Sequence, residues 1–264
     1  MNTPAVSILI ATHNDEKTLD QCLGSLQQQT YQDFRIVCVN DASTDTTGDI
    51  LLSWQKRIGT EKFRIIRQIA NIGLTRSLNA GLEKIDTPYT ARIDADDWWA
   101  PEKLEIQMRF LMDNPSYGIV GCAYINIAHG KEKSVFLPET DAELKKMMFH
   151  RNPFAHSCVV FETDLVKKVG GYDRSIYYGQ DYELWLRISP QTKFHNIPKI
   201  LCYRNASSGI SHSNQNAQLW QYVKTQCIYI KKLHRPITDY RFIFEPLLTI
   251  VTPQWVRAWK RKHL

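Results

Sequence analysis

Three carboxylates stand within four residues at Asp94-Ala95-Asp96-Asp97. An apolar run from Tyr89 to Ile93 leads into them, and Trp98, Trp99, Ala100 and Pro101 follow. Carboxylates packed this densely repel one another unless a positive charge joins them. Hard oxygen ligands suit Mg²⁺ or Mn²⁺, and such an ion is commonly held together with a phosphate. The same residues also suit a solvated acidic turn that caps the next helix. Two more carboxylates stand at telling places. Asp41 closes another apolar run. Asp181 follows Gly179 and Gln180 at a helix start, where it could accept a proton or serve as an N-cap.

The elements that must position these residues alternate. Val6 to Thr12 is short, mostly apolar and rich in β-branched residues, and reads as a buried strand ending in polar Thr12-His13-Asn14-Asp15. Leu19, Cys22, Leu23 and Leu26 recur at helical spacing. Phe34 to Val39 predicts a second strand, closed by Asn40-Asp41, with a helix marked by Ile50, Leu51, Trp54 and Ile58. Phe63 to Ile66 predicts a third strand, then Asn71-Ile72-Gly73 and a helix through Leu74, Leu78 and Leu82. Tyr89 to Ile93 is the fourth strand.

Such alternation implies βαβ units and a mainly parallel sheet. Ligands bind beyond the C-terminal ends of strands in sheets of this kind. Thr12, Asn14, Asp41, Asn71, Asp94 and Asp96 therefore belong to one rim. There is no glycine-rich dinucleotide loop and no P-loop, so neither of those nucleotide folds is supported.

Further along, Pro101 to Asn114 predicts a helix, Ile119 to Ile127 a strand, and 128–152 a polar loop or lid. Ser157 to Phe161 is strand-like and Asp164 to Val169 suits a short helix. Gln180 to Arg187 opens another helix, Phe194 to Tyr203 a strand, and Ser207 to Asn214 a polar loop.

The 264 residues suit one large domain or a domain with an appendage. Six cysteines lie far apart without a CxxC pair, which argues against structural zinc and for buried thiols in a reducing compartment. Nothing in Met1-Asn2-Thr3-Pro4 suggests a signal peptide, and no run approaches the roughly 20 apolar residues of a membrane span. The net charge of +6 is uneven. Residues 216–264 hold nine Lys/Arg against two Asp/Glu, while the remainder holds 24 against 25.

Taken together, Val6 to Asn14, Val39 to Asp45, Asn71 to Leu74, Arg92 to Asp97, Gly170 to Asp173 and Gln180 to Arg187 resemble the motifs of a family 2 glycosyltransferase. The resemblance runs from about residue 5 to 212 in the right order. It implies a GT-A fold, Rossmann-like, with a mainly parallel sheet flanked by helices. It also implies inverting transfer of a sugar from a UDP-sugar to an acceptor hydroxyl, with Mn²⁺ or Mg²⁺ as cofactor. Thr12, Asn14, Glu16, Asp41, Asn71, Arg76 and Asp94 are the nucleotide-sugar contacts so implied, Asp96 and His212 the metal contacts, and Asp181 the general base. Relatives often carry Tyr at the place of His13 and Glu at the place of Gln180.

The expected division is a catalytic domain at 1–215 and a helical, basic and aromatic extension at 216–264. The extension's aromatics and cations suit an anionic membrane surface through 240–264 more than nucleic acid, since many relatives use lipid-linked acceptors. The expected setting is the cytoplasm or the inner face of the cell membrane, in cell-surface polysaccharide synthesis on a glycan or lipid-linked acceptor. The rival readings are a sugar-phosphate nucleotidyltransferase and a non-catalytic binding protein on the same fold. The nucleotidyltransferase normally needs a glycine-rich basic loop where Thr12-His13-Asn14-Asp15 stands.

Overall fold

The computed structural model describes residues 5–207 and 215–252. The fold is built outward from β1 (Val6–Thr12), every residue of which is buried. Its side chains alternate between two cores. Val6, Ile8 and Ile10 enter one, and Leu9 and Ala11 enter the other. A strand covered on both faces reads as a continuous apolar run, as this one does.

β2 (Phe34–Asn40) and β4 (Tyr89–Arg92) flank β1 in parallel, with Ile8 opposite Ile36 on one side and Ala91 on the other. β3 (Phe63–Arg67) adds in parallel beyond β2. The chain thus winds outward through β2 and β3, then returns to β4 on the other side of β1. That reversal opens a crevice at the C-terminal ends of β1 and β4.

One sheet face is covered by α1 (Leu19–Gln27), α2 (Thr47–Ile58) and α4 (Lys103–Asp113). The other is covered by α3 (Leu74–Glu83), α6 (Thr163–Lys168) and α7 (Gln180–Ile188).

Beyond β4 the sheet becomes mixed. Its order continues through β8 (Val160–Glu162), β6 (Tyr117–Ala128), β9 (Lys193–Asn205) and the two-residue β5 (Trp98–Trp99). β8 is antiparallel to both β4 and β6, whereas β6 and β9 run parallel. Parallel pairing therefore dominates the first half, where βαβ units supply the crossovers.

Three local expectations change. The stretch 128–152 is not a plain loop. His129 and Gly130, both at positive φ, turn the chain into β7 (Lys131–Val135), which pairs back on β6. Thr140 and Glu143 then form a capping box that starts α5 (Asp141–Met147). The helix expected from Pro101 begins at Lys103. Asp181 is not an N-cap, because left-handed Gly179 holds that position and Asp181 lies inside the first turn.

After β9 come α8 (Gln215–Lys232) and α9 (Arg241–Val251). Tyr222 of α8 stacks on Tyr182 of α7, with ring centroids 4.2 Å apart and planes 10° from parallel. Gln226 Nε2 donates to the Phe149 carbonyl at 2.8 Å, and the Tyr229 hydroxyl donates to Glu183. Phe244 and Leu248 of α9 are exposed. Among the described residues no helix is long and apolar enough to cross a membrane.

β6 lies close to β9 and to the segment carrying Phe154, and Gly121 is the point of contact. A Cβ there would sit 2.0 Å from Asn196 Oδ1 and 2.6 Å from the Phe154 ring. Gly121→Ala should therefore cost about 1–3 kcal/mol of stability through overpacking, read from the urea unfolding midpoint. An unchanged midpoint would mean that Phe154 and Asn196 move aside freely.

Candidate active site

The crevice at the strand ends is a cleft of about 940 Å³. Its walls carry Thr12, Asp41, Asn71, Asp94, Asp96 and Asp181 together, although these residues span 170 positions of sequence. Local geometry explains how each arrives.

At the end of β1, Thr12 Oγ1 donates to Asp15 Oδ2 at 2.7 Å, and the His13 amide donates to the same oxygen at 3.0 Å. Asn14 then takes a positive φ of 59°. Its Oδ1 accepts from the Thr44 amide at 2.8 Å, and Glu16 Oε2 accepts from Thr46 Oγ1 at 2.8 Å. Asn14 and Glu16 thereby tie the loop after β1 to the loop after β2. They stand outside the cleft wall, as does the exposed Arg76.

Asp41 reaches across to the loop after β3. One carboxylate oxygen accepts from the Ile72 amide and the other from the Gly73 amide, each at 2.8 Å. A carboxylate has about four lone-pair sites, so each oxygen keeps room for a further donor, such as the imide N–H of a base.

The acidic turn after β4 is organised by Arg92. This side chain is fully buried, and its guanidinium pairs with Asp94. Ser157 Oγ donates to the other Asp94 oxygen at 3.0 Å. Burial works against ionisation of Asp94, but Arg92 together with His156, Arg204 and the Ser157 hydrogen bond outweighs it and holds the carboxyl at about 2. Asp96 has no such counter-charge. Burial, and then the neighbouring Asp94 and Asp97, push it up to about 8. Burial and Asp94 also raise Asp97, to about 6, against the opposing pull of Arg204. Asp97 is not simply a cap on the following helix. Its Oδ1 accepts from the Asn205 amide at 2.8 Å, which ties the acidic turn to the end of β9.

On the facing wall, Asn152 Nδ2 donates to Asp181 Oδ2 at 2.7 Å. Burial raises the Asp181 carboxyl above its ordinary value. A carboxylate whose affinity for protons is raised is a better proton acceptor. His156 lies in a short 3₁₀ turn with Nε2 2.9 Å from the Tyr172 hydroxyl, and burial holds it well below the ordinary histidine value. Gln218, Tyr222 and Thr225 of α8 complete this side.

The donor set bears on a divalent cation. Among the described residues no three His, Cys, Asp or Glu side chains converge on a ready-made cage. The Asp94–Asp96–Asp97 turn instead offers one or two carboxylates whose mutual repulsion a cation relieves. That arrangement fits an ion that takes its other ligands from water and a bound phosphate. His212 lies outside the described residues.

Asn152, Ser157 and Arg204 were not singled out from sequence as parts of this site. No spacing pattern points to Asn152 or Ser157, which reach the cleft only through folding. Arg204 could have drawn notice as a cation closing an apolar strand.

Raised above its ordinary 3.8, Asp96 holds a proton in the folded chain over a range in which the unfolded chain has released it. Its contribution to stability is thus full below that ordinary value and is lost as pH rises toward about 8. In chelating buffer, Asp96→Asn should gain melting temperature relative to wild type between about pH 5 and about pH 8. A difference that stays constant across that range would remove Asp96 as the titrating group.

Comparison with known proteins gives a consistent answer. Residues 7–170 match the model of glycosyl transferase family 2. The amylovoran biosynthesis glycosyltransferase AmsE of Erwinia amylovora is 35% identical over 225 residues, 83% of this chain and 82% of that protein. The structure resembles that of S. aureus TarS 1–349 in complex with UDP, with a TM-score of 0.71 and 18% identity over 92% of this chain and 70% of that one. It also resembles the mannosyltransferase PcManGT from Pyrobaculum calidifontis in complex with GDP-Man and Mn²⁺. There the TM-score is 0.66, with 17% identity over 95% of this chain and 70% of that one. These two likenesses are of fold, and the fold is GT-A.

Proposed function

The chain belongs to glycosyl transferase family 2, and we propose that it moves a sugar, with inversion, from a UDP-sugar to a hydroxyl of a glycan or lipid-linked acceptor in cell-surface polysaccharide synthesis. The observation that carries this reading is that Asp41, Asp96 and Asp181 line one cleft. In this reading Asp41 takes the base, Asp96 the metal and diphosphate, and Asp181 the acceptor hydroxyl.

In this reading Thr12, Asn71 and Asp94 contact the nucleotide or donor sugar. Asn14 and Glu16 act through the loop they brace, and Arg76 would have to swing inward. Asp96 would hold Mg²⁺ or Mn²⁺, which when bound offsets charge developing on the diphosphate. Asp181 takes the proton of the acceptor hydroxyl, and Asn152 keeps its carboxylate aimed. A single displacement inverts the sugar carbon, so one base suffices. UDP is the nucleotide in the TarS complex, which supports that donor class.

Residues 1–215 form the catalytic domain in this reading, and 216–264 an extension whose first helix closes the acceptor wall. Exposed Phe244 and Leu248, with the basic residues that follow in sequence, suit an anionic membrane surface.

Incubation with a panel of nucleotide sugars and Mn²⁺ should release nucleoside diphosphate, not pyrophosphate, from one donor. Asp181→Asn should lower transfer by roughly 10²–10⁴-fold with donor affinity little changed. Pyrophosphate release would favour a nucleotidyltransferase. Turnover of no donor would favour a binding protein.

Deletion of 240–264 should abolish co-sedimentation with anionic liposomes, and raised salt should weaken it in the full chain. Unchanged binding after deletion would rule out the tail as the contact.

A further inference from the structure

Asp181 stands among rings, amides and hydroxyls. Asn152, Tyr177, Tyr178, Gln180 and Tyr222 line the cleft with it. Among the described residues a single arginine or lysine lines the cleft. It is Arg204, which belongs to the acidic side, with Nε 3.8 Å from Asp97 Oδ2. The wall that carries Asp181 therefore offers no cation of its own among the described residues. A phosphate or carboxylate brought to it would face a like charge without a partner.

Two of the rings are set in place before any ligand arrives. The Tyr177 and Tyr178 rings meet edge to face, with centroids 4.7 Å apart and planes at 80°. On one side of the pair, Thr75 Oγ1 donates to the Ile176 carbonyl at 2.8 Å, and the Asp173 carboxylate accepts from the Ser175 amide at 2.9 Å. On the other side, left-handed Gly179 fixes the start of α7, and with it Asp181. Tyr177 is nevertheless 61% exposed. A ring so exposed adds little to the core, whereas on a cleft wall it offers a ready surface to a ligand.

An uncharged pyranose matches this wall. One face of the sugar ring is a sheet of C–H groups that suits an aromatic ring, and its rim of hydroxyls suits amides and phenols. A hydroxyl also needs a base, which a phosphate oxygen, already ionised at neutral pH, does not. The raised proton affinity of Asp181 agrees with a hydroxyl.

We propose that the acceptor is an uncharged pyranose whose C–H face packs on Tyr177 while one of its hydroxyls reaches Asp181, with Tyr178 as the residue that positions the Tyr177 ring. This deepens the nucleotide-sugar reading above and rests on it. In the transfer step the acceptor's hydroxyl oxygen bonds to the anomeric carbon of the donor sugar. The bond from that carbon to the β-phosphate oxygen breaks, its electron pair stays on that oxygen, and the hydroxyl proton passes to Asp181.

The test gives the full chain Mn²⁺, the nucleotide sugar that it turns over and one acceptor at a time. The acceptors are methyl pyranosides of uncharged hexoses and N-acetylhexosamines, a methyl glucuronide, and a polyprenyl phosphate in detergent. At least one uncharged pyranoside should be glycosylated in preference to the glucuronide and the polyprenyl phosphate. With that acceptor, Tyr177→Ala should raise the acceptor KM by roughly three- to tenfold while affinity for UDP changes by less than about twofold. Tyr177→Phe should keep the wild-type acceptor KM, because the ring and not its hydroxyl makes the contact. Tyr178→Ala should give a smaller rise of the same kind.

Preference for the polyprenyl phosphate or the glucuronide overturns the pyranose platform while the nucleotide-sugar reading stands. So does hydrolysis of the donor without transfer to any uncharged pyranoside. An acceptor KM that Tyr177→Ala leaves unchanged, or a loss shared equally with UDP affinity, has the same consequence. If the wild type turns over no nucleotide sugar, the nucleotide-sugar reading fails and the platform falls with it.

Discussion

The buried pairing of Arg92 with Asp94 is the interaction on which the cleft depends. A guanidinium sealed inside the sheet is costly on its own, and so is a carboxylate on a turn with two others. Joined, and with Ser157 donating to the second Asp94 oxygen, they form a fixed point at the end of β4. The turn to Asp96 and Asp97 springs from that point. Removing Arg92 would leave Asp94 without its ion-pair partner in a turn already crowded with carboxylates.

The same pairing gives chemically similar side chains different tasks. Arg92, with Arg204 and Ser157 among its helpers, favours the ionised form of Asp94, while burial and the neighbouring Asp94 and Asp97 push Asp96 toward its neutral form. The turn therefore holds one carboxyl favoured in its charged form and one favoured in its neutral form. Across the cleft, Asp181 gains proton affinity from burial and keeps its aim through Asn152. Environment, not residue type, separates these roles.

Much of this was legible in the chain. The strand ends at Thr12, Asp41 and Asp94, and the helices between them, follow from apolar runs and helical spacing, because both sheet faces are covered and each strand must be apolar throughout. Some features were legible and passed over. Thr140 and Glu143 have the spacing of a capping box, and His129-Gly130 that of a tight turn, yet both lie in a polar stretch without strong periodicity. The shift to mixed pairing beyond β4 was not legible. β8 has three residues and β5 two, too few for a pattern to declare direction.

By itself the sequence determined the fold class, the succession of the first four strands along the chain and the rim on which Asp41, Asp94 and Asp96 fall. These depend on local periodicity and on the handedness of βαβ units, which act between neighbours in the chain. Tertiary structure alone decided what each carboxylate touches. Asp41 holds a loop 31 residues away, Asp97 reaches Asn205, Asp181 meets Asn152, and Arg204 arrives as the cleft's cation. Spacing carries no information about contacts between distant segments. Burial and charge, which set proton affinity, come into being only when those segments meet.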